Sequence, residues 1–144
     1  MANAKQRITK WLKQHGIKLM PGKDDEYHPH LKIVTYSRRS KCAERQIYSI
    51  LHECGHYLIQ DSEDYEVKHK TQVEAWVDGR KKRSLRWRID NLKEEFRAWD
   101  EGKEIAEVLN IEIDEKKYDD HAASCLKSYC HWVLNPNNYD HEDD

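Results

Sequence analysis

The chain has 144 residues, and its 25 Lys and Arg against 27 Asp and Glu leave a net charge of −2. Hydrophobic residues make up 38% and charged residues 36%, with five Trp and eight Tyr to enlarge a core otherwise short of aliphatics. This composition excludes a disordered chain, its length fits one domain, and its global charge names no partner.

Residues 3–15 are expected to be helical, because Ala4, Ile8, Trp11, Leu12 and His15 recur at helical spacing and Gly16 supplies a stop. Ile17 and Leu19 suggest a short strand, and Pro21-Gly22-Lys23-Asp24-Asp25 a turn. Leu31 to Tyr36 is β-branched and aromatic, hence a strand. Residues 41–60 give the clearest helix, with Ala43, Ile47, Ile50, Leu51, Cys54 and Leu58 on one face. Residues 61–72 are polar and read as loop. Residues 73–88 fit either a hairpin or two short helices, ending in the basic run Arg80, Lys81, Lys82, Arg83, Arg86 and Arg88. Residues 90–109 read as helix despite Gly102, with Asn110 at its end. A last helix is expected over 118–134, before Pro136. The fold class is therefore α+β, mainly helical with a small sheet, in a single domain over 1–144 whose acidic tail 139–144 frays.

Cys42, Cys54, Cys125 and Cys130 form no CxxC pair. Cys125, Cys130 and His131 are poorly spaced for a second metal on one helix face. The N-terminus has no apolar core for a signal peptide, and no stretch approaches the roughly 20 apolar residues of a membrane span. A cytoplasmic protein with reduced thiols is the expectation, with no membrane partner.

The chemistry lies in His52-Glu53-Cys54-Gly55-His56. Four residues apart on a helix, His52 and His56 present their imidazoles on one face, one turn apart, as zinc ligands do. Glu53 borders that face, placed to act as general base on a water acidified by the ion. Ala43, Ile47, Ile50 and Cys54 point the other way, leaving one face for the core and one for the site. Gly55 has no side chain and lets another segment come close.

Catalytic zinc commonly takes three protein ligands and keeps one open position. Glu95 is the preferred third ligand, because Ala98 three residues later offers a small residue for close helix approach. Glu94 and His69 are alternatives, with His121 more remote. The oxyanion of amide hydrolysis needs a donor. Tyr57, His69, Tyr118, His121 and Tyr129 are chemically able.

The run Ile50 to Leu58 resembles the HExGH helix of the ImmA/IrrE-type metallopeptidases, gluzincin-like zinc proteins common in bacteria and phages. In that family a later helix carries a glutamate ligand in an E-x-x-A setting, and Glu95-Phe96-Arg97-Ala98 is similar. The resemblance implies a zincin-like domain with zinc on His52, His56 and Glu95, Glu53 as catalytic base, and a protein or peptide substrate. A solitary domain of this kind suits a phage or mobile-element product.

A weaker resemblance is to SprT-like proteases, which act on DNA-bound proteins. It would make His69 the third ligand and the run 80–88, with Trp76 and Trp87, a nucleic-acid surface. The metzincin pattern is not met, since Ile59 and Ser62 stand where it needs Gly and His. The rival class is a non-catalytic zinc-binding regulatory module, or a structural site closed by four protein ligands.

Overall fold

The computed structural model describes residues 3–80 and 84–138. Helix α1 (Ala4–Gln14) starts at a capping box in which Asn3 and Gln6 satisfy each other's backbone N–H groups. It stops where expected: Gly16 adopts φ +76°, and the Ile17 N–H returns to the Leu12 carbonyl at 2.9 Å. Three short strands follow, β1 (Lys18–Gly22), β2 (Glu26–His28) and β3 (Ile33–Ser37), in the order β1-β3-β2. β3 is central, parallel to β1 and antiparallel to β2. The expected turn at 21–25 is partly strand, because Pro21 and Gly22 continue β1. Pro21 is tolerated there because β1 is an edge strand.

Helix α2 (Ala43–Asp61) runs through the centre of the molecule. It is wetted far less than a two-faced helix would be. Tyr48, Ile50, Leu51, Cys54, Tyr57 and Ile59 are all buried, while Ala43, expected on the core face, is exposed. The segment read as loop, 61–72, instead folds into α3 (Tyr65–Lys68) and most of α4 (Lys70–Val77). Hydropathy missed these helices because, beside Tyr65 and Ala75, the inward residues His69 and Gln72 are polar, buried around Asp90. The two-helix reading of 73–88 holds in part, with α4 ending at Val77 and α5 beginning at Leu85. Residues 81–83 of the basic run, and the acidic tail 139–144, lie outside the described residues.

Helix α5 (Leu85–Val108) is capped by Ser84, whose hydroxyl accepts from the Trp87 N–H. It ends at Asn110, which takes φ +55°. Helix α6 (Glu115–Leu134) starts at Asp114, whose carboxylate accepts from the Lys117 N–H. The main core joins α1, β1, β3, α2, α5 and α6 around Ile8, Leu12, Val34, Ile50, Leu51, Trp99 and Tyr118. Tyr118, fully buried, donates its hydroxyl to the Trp99 carbonyl and ties α6 to α5. The class is α+β and mainly helical. Among the described residues, no helix is long and apolar enough to cross a membrane.

The crossing of α2 and α5 positions the site. A Cβ on Gly55 would stand 2.2 Å from the Ala98 carbonyl oxygen and 3.0 Å from its Cα. A Cβ on Gly102 would meet the Tyr118 hydroxyl at 2.5 Å and the Leu51 backbone at 3.1 Å. The two helices thus touch backbone to backbone at Gly55 and Ala98, the pair expected to allow it. Gly102, which lowers helix propensity, is the second point of contact.

Candidate metal centre

His52 and His56 lie on α2 with ring centroids 4.6 Å apart. Facing them across the glycine contact, α5 presents Glu94 and Glu95, both buried. The Glu95 Oε2 lies 2.6 Å from His52 Nε2 and 3.1 Å from His56 Nε2. One carboxylate oxygen therefore meets the same nitrogen of both rings. With zinc bonds of about 2.0–2.2 Å, tetrahedral ligand atoms stand about 3.3 Å apart. Both Glu95 contacts are shorter than that spacing, the one to His52 by about 0.7 Å.

Glu53 is the other carboxylate within reach, since ligand atoms of His52, Glu53 and His56 lie within 4.8 Å of one another. The side of the ring separates the two. Glu53 Oε1 approaches His52 at Nδ1, 3.3 Å away, whereas Glu95 faces both Nε2 atoms. A cation held by the two Nε2 atoms would take Glu95 as its third donor and leave Glu53 beside it.

Glu94 does something else. Its Oε2 accepts from His56 Nδ1 at 2.6 Å and from Gln60 Nε2 at 3.0 Å, and its Oε1 accepts from the Tyr65 hydroxyl at 2.6 Å. The carboxylate fixes the proton of His56 on Nδ1 and turns Nε2 toward Glu95. Glu94 thus orients His56, with both its oxygens engaged by His56, Gln60 and Tyr65. Trp99 plays a similar part for His52, stacking on its ring at 4.1 Å and 17°.

The alternative ligand His69 is 1% exposed and has both nitrogens engaged. Its Nδ1–H donates to Asp90, and its Nε2 accepts from the Arg97 guanidinium at 2.7 Å. Arginine has no lone pair to offer, so this tautomer is forced. No nitrogen of His69 is left for an ion.

Three carboxylates, Glu53, Glu94 and Glu95, are each 7% exposed or less. Burial opposes charge on all of these groups. On His52 burial pushes the pKa down, but hydrogen bonds and charge from Glu53 and Glu95 carry it above its ordinary value of 6.5. On His56 burial is likewise outweighed, by Glu95 and Glu94, and the pKa lies well above 6.5. Glu95 and Glu94 are correspondingly held below the ordinary carboxylate value, against burial, chiefly by His56 and, for Glu95, His52 as well. The raised values favour protonated imidazoles, which balance the buried negative charge. A divalent cation balances it equally well, and the donor set of two imidazoles and a carboxylate suits zinc.

Of the five oxyanion donors considered, three are otherwise occupied. Tyr118 donates to the Trp99 carbonyl, His69 is bound as described, and the Tyr57 hydroxyl is hydrogen-bonded to Asp61. Tyr129 and His121 on α6 are hydrogen-bonded too, but to Glu95 and Ser49 beside the candidate ligands. Burial, then the charge of Glu95 and a hydrogen bond to it, raise the Tyr129 pKa, so the hydroxyl keeps its proton. His121 meets Trp99 edge-on at 5.6 Å, and its Nε2 is 3.1 Å from the Ser49 hydroxyl. Asp25, read only as a turn residue, accepts from the Ser37 N–H at 2.8 Å. Burial raises its pKa, and the charge of Glu53 raises it further. No hydropathy or spacing signal marks it.

No family model matches the chain, and neither does any curated protein or solved structure.

Proposed function

We propose that this protein is a zinc-dependent metallopeptidase of the HExxH class, with His52, His56 and Glu95 as ligands and Glu53 as general base. One observation carries the reading: a single oxygen of Glu95, 39 residues beyond His56, meets Nε2 of both histidines. A surface helix that held HExxH by accident would have no reason to bury three carboxylates against it.

Bound zinc would supply Lewis acidity, acidifying a water molecule and polarising the amide carbonyl. The chain's own residues supply the rest. Glu53 takes a proton from the attacking water and delivers it to the leaving amine as the C–N bond breaks. Tyr129 or His121 donates a hydrogen bond to the oxygen that becomes negative. Glu94, Gln60 and Tyr65 keep His56 in one tautomer, and Trp99 keeps the His52 ring in its plane. His69, spent on Asp90 and Arg97, argues against the three-histidine alternative.

The test is to load purified protein with zinc and follow hydrolysis of a mixed peptide pool by mass spectrometry, beside Glu53→Gln. The expected result is one zinc per chain in both proteins and turnover at least about 100-fold lower in the variant. Turnover that survives in Glu53→Gln rejects the base. Stoichiometric zinc with no hydrolysis by the unaltered protein leaves the non-catalytic module as the function.

A further inference from the structure

A cavity of about 420 Å³ opens between the start of α2 and α6, walled by Glu44, Arg45, Lys117, Asp120 and His121. It adjoins the metal centre through His121, which touches Trp99, the ring stacked on His52. Both carboxylates of the wall are paired with lysines. Glu44 pairs with Lys117 at 3.6 Å, and Asp120 with Lys116 at 3.0 Å. Among the described residues, no carboxylate pairs with Arg45. Burial and the charge of Arg45 hold the His121 pKa below its ordinary value, so Arg45 carries the positive charge of this end of the cavity.

Arg45, Ser49 and Glu53 are spaced at four-residue intervals and form one stripe along α2. Eight residues of helix put Arg45 about 12 Å from Glu53. An extended peptide covers that distance in three or four residues, at about 3.3 Å each. Ser49, midway, is already hydrogen-bonded to His121.

Resting on the peptidase reading, we propose that this cleft is a specificity subsite in which Arg45 receives a substrate carboxylate three or four residues from the scissile amide. The substrate class is then an acidic peptide. A guanidinium is suited to the task, because its planar fork matches a carboxylate and stays charged at any working pH.

Two measurements test this, one of which needs no turnover. The zinc-loaded protein, labelled with ¹⁵N, is titrated with N-succinyl-trialanine amide and with neutral N-acetyl-trialanine amide, following the Arg45 side-chain and His121 resonances. The succinyl peptide should bind about tenfold more tightly, with a preference that fades as salt rises. Arg45→Gln should remove that preference while leaving zinc stoichiometry and the circular dichroism spectrum unchanged. Equal binding of the two peptides overturns the subsite. So does a preference that survives in Arg45→Gln, since the carboxylate would then be on the metal. In the peptide-pool digest, Asp and Glu should be enriched at one position three or four residues from the cut, and Arg45→Glu should replace them with Lys and Arg. An unchanged acidic preference in Arg45→Glu also overturns it. Succinyl preference without any digestion would retain the carboxylate site and reject the peptidase function.

Discussion

Replacing Gly55 with Ala perturbs the site through the helix crossing alone, with no change to any ligand. The new methyl carbon would stand 2.2 Å from the Ala98 carbonyl oxygen, and the closest tolerable carbon–oxygen approach is about 3.2 Å. One helix must therefore retreat by about 1 Å, and the obstacle is backbone, which cannot rotate away. Ala98 is one turn from Glu95 on α5, so the Glu95 carboxylate retreats with it. Its 2.6 and 3.1 Å contacts with the histidines then open beyond the roughly 0.5 Å tolerance of a metal site. The stability cost should reach the upper end of the about 1–3 kcal/mol typical of overpacking. Zinc affinity should fall by more than the roughly 10–100-fold that loss of a supporting group costs. Urea unfolding of the metal-free proteins measures the first, and chelator competition the second. A Gly55→Ala variant within about 0.5 kcal/mol of the parent, with unaltered zinc affinity, would refute the close crossing and the geometry built on it.

Glu94→Gln keeps the shape but weakens the acceptor for His56 Nδ1, and zinc affinity should drop about 10–100-fold by chelator competition; an unchanged affinity would remove Glu94 from the support of the site. His69→Ala should leave zinc stoichiometry intact while destabilising the fold by about 3–5 kcal/mol, because it strands Asp90 and Arg97; lost stoichiometry in a folded variant would restore His69 as a ligand. The pH dependence has opposite signs with and without metal. In the metal-free protein, the raised pKa values of His52 and His56 give stability that is complete below about pH 6.5 and is lost as pH rises through the higher folded values. The lowered values of Glu94 and Glu95 give stability present above about pH 4.5 and lost as pH falls. Zinc competes with the histidine protons, so its affinity should begin to fall already above pH 6.5 on acidification. Thermal unfolding from pH 6 to 9 should thus show the metal-free protein losing, and the loaded protein gaining, stability as pH rises; parallel slopes would contradict the charge-balance argument.

The parts of this site that follow a period were legible in the sequence. His52, Glu53 and His56 share a helix whose apolar spacing is plain, and the small pair Gly55 and Ala98 brings Glu95 to them. What lay outside reach is buried polarity. Residues 61–72 look like loop because hydropathy cannot tell a wetted His69 or Gln72 from one buried around Asp90. The role of Glu94 needed the ring orientation of His56, and that of Trp99 needed the plane of His52. Strand β2, three residues long, is held by pairing with β3 and has no pattern of its own to read. Arg45 could be seen as a charge on a helix, but the cavity beside it depends on where α6 packs.

X-ray absorption at the zinc edge of stoichiometrically loaded protein tests the central claim most directly. It should give two imidazole nitrogens at about 2.0–2.1 Å, carboxylate oxygen at about 2.0–2.2 Å and a light-atom position left for solvent. Glu95→Ala should lose the carboxylate, while His69→Ala should give the parent spectrum. Sulfur at about 2.3 Å, four protein ligands, or failure to bind zinc at one per chain would contradict it.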